Sequence, residues 1–137
     1  MRILGYQASS FSWQPFSKTL KDEERVAEPG EIENAVVLFM HIESKDTGEE
    51  FSRSFKKSLK HIKWMANKRE LKNIVLHSFA HLGGESCTPE QAKHFLDALD
   101  ERLSGTGYQV SQTPFGWFCS WNLSVFGESM AKVYKEF

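Results

Sequence analysis

Asn34-Ala35-Val36-Val37-Leu38-Phe39-Met40-His41-Ile42-Glu43 is the stretch from which the fold can be read. Ala35 to Ile42 is apolar except for His41 and does not alternate with polar residues. An apolar run of this length suits a strand buried on both faces. Working outward toward the C-terminus, Lys45-Asp46-Thr47-Gly48 turns the chain. Phe51, Phe55, Leu59, Ile62 and Met65 then recur at helical spacing, with Lys and Arg on the other faces through Lys68. That pattern is an amphipathic helix packed on a sheet. Asn73 to Phe79, through Ile74-Val75-Leu76, reads as the next strand. A second helix opens with a strong signal: Thr88 can cap, Pro89 suits the first turn, and Gln91 completes a capping box. Ala92, Phe95, Leu96, Leu99 and Leu103 form its buried stripe, and Gly105 and Gly107 end it.

Tyr108 to Gln112 is a short strand. In Trp117 to Val125 the residues Trp117, Cys119, Trp121, Leu123 and Val125 alternate with Phe118, Ser120, Asn122 and Ser124, a period of two. The join near Pro114 to Gly116 predicts a hairpin-like end, and residues 128–135 read as a closing helix. On the N-terminal side, residues 21–31 carry seven charged side chains and Pro29-Gly30, a solvated loop. Arg2 to Gln7 is a first strand, and Phe11, Trp13 and Phe16 suggest a second running up to Pro15. The order is β-(β)-β-α-β-α-β-β-(α). Helices alternating with strands place the chain in the α/β class, as one compact domain over residues 1–137 with a mixed β-sheet layered with two main helices.

Composition agrees. A chain of 137 residues fits one domain. Eleven Phe and four Trp supply large core side chains, each burying roughly 150–250 Å². The net charge of −1 argues against bulk attraction to nucleic acid and leaves room only for local basic patches. Cys87 and Cys119 form no C-x-x-C pair, which suits a reduced, cytoplasmic compartment. The N-terminal segment turns polar by Gln7, too soon for a signal peptide or membrane span.

No G-x-G-x-x-G, Walker loop, G-x-S-x-G or H-E-x-x-H motif is present, and no metal site is indicated. Gly83-Gly84 follows a strand, where α/β proteins often bind ligands, although such a pair more often serves a turn. Of five dispersed His, His61 and His94 fall on helices, solvated or half-buried. His41 and His77 fall on strands, where a lone His is more often a packing residue. His81 sits where a strand ends, a favourable place for a site. Cys119 has the chemistry of a nucleophile, but its phase favours a buried structural thiol. Lys56, Lys57, Lys60, Lys63 and Lys68 have the charge to meet phosphates, and Trp117, Phe118 and Trp121 the rings to stack on bases. A solvated helix face and core packing are the plainer readings.

Two segments together are more specific. Phe79-Ala80-His81-Leu82 at the end of a strand, and Thr113-Pro114-Phe115-Gly116-Trp117-Phe118 opening the last long strand, resemble the archaeal threonyl-tRNA synthetase editing domain. That family carries a P-F-A-H-L segment and, later, a P-F-G-Y-Y-K segment. The opening Met1-Arg2-Ile3-Leu4 and the strand Val37 to Glu43 are similar as well, so the resemblance runs along essentially the whole chain.

The resemblance implies a D-aminoacyl-tRNA deacylase-like fold, a homodimer and a cleft for the tRNA 3′ adenosine. It also implies hydrolysis of the serine ester on threonine tRNA, without a cofactor. The water would be positioned by backbone groups and the RNA's own ribose hydroxyl, because an aminoacyl ester is already activated. A synthetase catalytic domain is a further implied partner. Carried over residue by residue, His81 would contact the substrate, with the backbone of Phe79, Ala80 and Leu82 lining the cleft. Ile42 would meet the adenine through its backbone, and Phe115 and Gly116 match the P-F-G turn, followed by Trp117. The chain departs from the family elsewhere: Ser78 replaces a Pro, Phe118 a Tyr, Cys119 a Lys and Lys132 a Glu. Lys132 would restore the lost positive charge from the opposite side. Three functions follow as alternatives: a Ser-tRNA(Thr) deacylase, a deacylase for another small or D-amino acid, and a module that binds or dimerises without hydrolysis.

Overall fold

A computed structural model describes all residues from Met1 to Phe137. Six strands form one sheet: β1 (Arg2–Lys18), β2 (Gly30–His41), β3 (Asn73–Ser78), β4 (Gln109–Gln112), β5 (Trp117–Val125) and β6 (Lys132–Glu136). Two helices, α1 (Phe51–Lys68) and α2 (Pro89–Ser104), complete the domain. The strand order is β4-β3-β2-β1-β5, with β6 also paired to β1. The β2–β3 and β3–β4 pairs are parallel, and every pair made by β1 is antiparallel.

The helices cover one face. Leu59, Ile62, Met65 and Ala66 of α1 and Phe95, Leu96, Leu99 and Leu103 of α2 pack on Ile3, Val36, Leu38, Met40, Ile74 and Leu76. The capping box expected at Thr88 and Gln91 is present, with both hydrogen bonds made. The opposite face holds a second core of Ala8, Phe11, Trp13, Ala35, Val37, Phe39 and Val75. β2 is thus buried on both faces, but only one side is covered by helices. The sheet covers the other side by curling over itself. Phe39 pairs with Leu4 and Trp121 with Trp13, far apart along β1, yet the Phe39 and Trp121 rings lie 5.1 Å apart.

Four expectations from sequence are corrected. The two short N-terminal strands are one strand of 17 residues. Register shifts at Ala8/Ser10 and Pro15/Ser17 let it bend without breaking. Pro15 is tolerated because β1 has left β2 by then, the last β2 pair being Trp13 with Gly30. β2 itself begins at Gly30, inside the expected loop. No side chain fits there, since a Cβ on Gly30 would stand 2.2 Å from the Trp13 ring. Residues 128–135 form no helix. A single 3-10 turn, Ser129–Ala131, leads into β6, which takes the stretch of β1 (Arg2 to Tyr6) that β5 leaves unpaired. Finally, β4 and β5 are not a hairpin, for they lie at opposite edges of the sheet. The segment between them crosses the ends of the intervening strands. His61 is also more withdrawn than its place on a helix suggested, at 7% exposure.

Phe95 is fully buried, with its ring edge-on to Phe51 at 5.1 Å and to Phe55 at 6.0 Å. Phe95→Ala is expected to cost about 3–5 kcal/mol of unfolding free energy. Equilibrium urea denaturation measures this, and a loss below about 1 kcal/mol would contradict the packing described.

Candidate functional site

The crossing from β4 to β5 roofs a cleft of about 470 Å³. Its floor is the C-terminal ends of the parallel strands β2 and β3, represented by Met40, Ile42 and His77 to His81. Such strand ends are where open α/β sheets place ligands. Thr113 to Cys119 and Trp121 form one wall, and Ser86, Cys87, Pro89 and Ala92 at the start of α2 form the other. Thr19 and Leu20 close one end. The roof is held by backbone contacts. Thr19 and Leu20 donate to the Gly116 carbonyl at 2.8 and 3.4 Å. Gly116 has φ +80°, which favours glycine, and a Cβ there would press on Glu23 Oε2 at 3.0 Å.

The floor loop is held from beneath by His41. Its Nδ1 accepts the Leu82 N–H at 3.1 Å, and its Nε2 lies 3.1 Å from Ser86 Oγ. The Nδ1 contact leaves the proton on Nε2, which then donates to Ser86. Burial lowers the His41 pKa, in keeping with this neutral form. The strand histidine read as a packing residue is buried, and it also ties the loop down at two points. Gly83 and Gly84 have φ of +110° and +71°, so the Gly pair serves turn chemistry as its commoner reading held.

Of the residues singled out from sequence, Ile42, Phe79, Ala80, His81, Phe115, Gly116, Trp117, Phe118 and Cys119 all line this cleft. His81 is exposed, its ring edge-on to Phe79 at 5.2 Å. The Ile42 carbonyl already accepts the Cys87 N–H at 3.1 Å. Two residues stand apart. Leu82 lies behind the floor, held by His41, and is not part of the lining. Lys132 sits on β6 opposite Tyr6, exposed and outside the cleft. It therefore does not replace a positive charge in the pocket. Cys119 is half-buried rather than a core residue, and burial raises its thiol pKa, so the thiol stays protonated and weakly nucleophilic at neutral pH. Phe118 and Trp121 are 56% and 40% exposed, which removes them from the core and makes them cleft walls.

No lysine, arginine or carboxylate lines the cleft. Cations stand around its rim instead: Lys18 is 5.8 Å from the Trp117 ring, and Arg25 and Lys93 are 5.7 and 5.9 Å from Phe115. Within the cleft the polar side chains furthest from solvent are His77 and Thr113, bonded to each other through Nδ1 and Oγ1 at 2.7 Å. Sequence reading gave neither a role. In the sequence His77 reads as a packing residue, and its only signal is a polar side chain at a strand's C-terminal end. An apolar cleft with backbone edges and a few polar groups can hold a small neutral ligand and polarise a carbonyl. Neither Ser86 nor Cys119 is an activated nucleophile there: His41 directs its Nε2 proton at Ser86, and burial keeps the Cys119 thiol protonated.

Comparison with known proteins gives the same direction. The sequence profile of the archaea-specific editing domain of threonyl-tRNA synthetase matches residues 1–137. The chain is 32% identical over 139 residues to a threonine–tRNA ligase of Staphylothermus marinus, covering 98% of this chain and 22% of that protein. It is 30% identical over 143 residues to the corresponding ligase of Hyperthermus butylicus, covering 100% and 23%. The chain thus spans about a fifth of the length of these relatives. Among solved structures, "c-Myc DNA Unwinding Element Binding Protein" superposes with a TM-score of 0.63 at 17% identity, covering 100% of this chain and 99% of that one. "A probable eukaryotic D-amino acid tRNA deacylase" superposes with a TM-score of 0.56 at 10% identity, covering 99% and 97%. The fold is therefore D-aminoacyl-tRNA deacylase-like.

Burial lowers the His77 pKa to about 4. The unfolded chain binds this proton below about pH 6.5, while the folded chain does not until about pH 4. Stability from this group is complete above pH 6.5 and is lost as pH falls to about 4, by about 3 kcal/mol. His77→Phe should flatten the pH dependence of unfolding free energy in that window relative to wild type. Chemical denaturation at a series of pH values reads this directly, and parallel curves for the two proteins would refute it.

Proposed function

The chain belongs to the family of the archaea-specific editing domain of threonyl-tRNA synthetase, and from that premise we propose that it hydrolyses the serine ester of mischarged Ser-tRNA(Thr). The observation that carries the proposal is the meeting of the two family-like segments, Phe79 to His81 and Thr113 to Phe118, in the lining of one cleft. A pocket that discriminates substrates differing by one methyl gains only about 1–3 kcal/mol, so a second, hydrolytic site is the chemical remedy for serine charged in place of threonine.

In this reading the 3′ adenosine enters between Ile42, Phe115, Trp117 and Phe118, and His81 contacts the ligand from the exposed floor loop. A water held by backbone groups of the Phe79–His81 segment attacks the ester carbonyl. The carbonyl oxygen gathers negative charge, which backbone N–H groups stabilise. The bond to the ribose oxygen then breaks, and the neighbouring ribose hydroxyl assists proton transfer to the leaving oxygen. Nothing stronger is required, since the ester is activated and the cleft supplies positioning. Cys119 contributes a neutral wall where the family has a lysine. Leu82 and Lys132 act through the loop and strand that carry them. The rim cations Lys18, Arg25 and Lys93 are suited to the phosphates of the 3′ end, although Arg25 and Lys93 are also paired with Glu23 and Asp97. Working in the cytoplasm, as a homodimer, with a synthetase catalytic domain as partner, belongs to the same proposal.

The replacement of that lysine by Cys119 favours one second reading: a deacylase of the same mechanism for another small or D-amino acid. Deacylation of Ser-tRNA(Thr) beside Thr-tRNA(Thr) tests the first. Serine should be released while threonine is spared, and His81→Ala should slow release about tenfold through loss of one ligand contact. Should neither ester be cleaved by the wild type or by Cys119→Lys, serine editing is excluded, and D-aminoacyl and other small aminoacyl esters are tried in its place.

A further inference from the structure

His77 and Thr113 are the two buried polar residues that line the cleft, at 7% and 6% exposure. The mechanism above uses neither. The Nδ1–Oγ1 contact of 2.7 Å fixes the rotation of the imidazole. Aromatic rings box it in: Phe39 at 5.0 Å, with Phe79 and Trp121 each at 6.0 Å. Nε2 has no hydrogen-bond partner in the protein, yet it is not among the sealed partnerless atoms, so it keeps access to the cleft. A polar atom in such surroundings is costly to leave unmatched.

We propose that His77, oriented by Thr113, reads the amino-acid side chain of the bound ester through one hydrogen bond from Nε2 to a side-chain hydroxyl. The inference rests on the reading that the cleft takes an aminoacylated 3′ end. The aminoacyl group is the terminus of the RNA and so reaches furthest into the cleft, while the base stays at the half-exposed aromatic mouth. A hydroxyl donates and accepts equally well, so the contact forms in either imidazole tautomer. Burial keeps the ring neutral at physiological pH, and a neutral ring does not repel the α-ammonium group of the ester. An alanyl group in the same place would leave Nε2 unmatched among aromatic rings with no replacement for the hydroxyl. That difference corresponds to about a 10–100-fold preference for seryl over alanyl ligands.

Binding separates this inference from the question of hydrolysis. Amide-linked seryl- and alanyl-3′-amino-adenosine cannot be hydrolysed as esters and differ only in the hydroxyl. Calorimetric titration of wild type should show the seryl analogue bound about 10–100-fold more tightly. His77→Leu should bring the two affinities together by weakening only the seryl analogue, and His77→Asn should restore part of the difference. Thr113→Val, which leaves the imidazole but frees its rotation, should reduce the preference partially and serves if His77→Leu does not fold. Binding of both analogues with an undiminished seryl preference in His77→Leu and Thr113→Val overturns the role of His77. Failure of folded wild type to bind either analogue overturns both this inference and the reading beneath it. The expected binding pattern, accompanied by no release of serine from Ser-tRNA(Thr), upholds His77 as the reader and sinks only the deacylase.

Discussion

The structure depends on the hydrogen bonding of β1 along both of its edges. One edge pairs with β2 from Arg2 to Trp13, and the other pairs with β6 and then β5. A straight strand of this length would extend about 55 Å, whereas a globule of this chain length has a radius of gyration of about 14 Å. The strand must therefore bend, and the register shifts at Ala8/Ser10 and Pro15/Ser17 are where its pairing with β5 is interrupted. The bend carries β5 over the second face of the sheet. Phe11, Phe39, Trp121 and Phe79 then pack together without any helix on that side. The close fit of the Trp13 ring over Gly30 secures the same corner.

The cleft is a consequence of that bend. Parallel strands β2 and β3 end together and turn Met40, His77 and Ser78 toward the cleft, while the curled β5 and the crossing segment face them from across the gap. One constraint thus builds both walls. The interior is uncharged, so a ligand entering it meets backbone dipoles, aromatic rings, His81 at the surface and the His77–Thr113 pair at depth. In low dielectric surroundings few polar groups are needed, because each acts strongly on charge that develops nearby. The loop bearing His81 is not free either. His41 holds Leu82 and Ser86, and the Glu43 carboxylate, which bonds the Met1 amino group at 2.6 Å, fills the space beside Gly84. Burial raises the Glu43 pKa, but hydrogen bonding and attraction from that amino group outweigh it and leave the carboxyl below its ordinary value. The side of the cleft formed by the floor loop therefore rests on buried polar contacts, and the roof on the Gly116 turn.

Much of this was legible in the amino-acid order. Periodicity marked α1, α2 and β5, because a helix or strand with one buried face repeats its apolar residues at its own period, and unbroken apolar runs marked β2 and β3, which are buried on both faces. The caps at Thr88 and Gln91 act within a few residues and needed no tertiary information. The two motif segments pointed to nine residues that do line one cleft. What local sequence determined, then, is the type of each long element and the identity of most of the cleft's walls.

Tertiary structure decided the rest, and always where a distant partner sets the outcome. Residues 132–136 are a strand because an edge of β1 is vacant, not because of their own pattern. β4 and β5 separate because β3 and β1 offer them different edges, which no turn residue near Pro114 encodes. Lys132 lies outside the cleft for the same reason: its strand is fixed to the far end of β1 from the one that carries Cys119. His77 and Thr113 are 36 residues apart, and their bond exists only because β4 runs beside β3. Spacing along a chain reports the few ångströms over which a helix or strand repeats, whereas a site is assembled across strand edges whose pairing the whole sheet must settle at once.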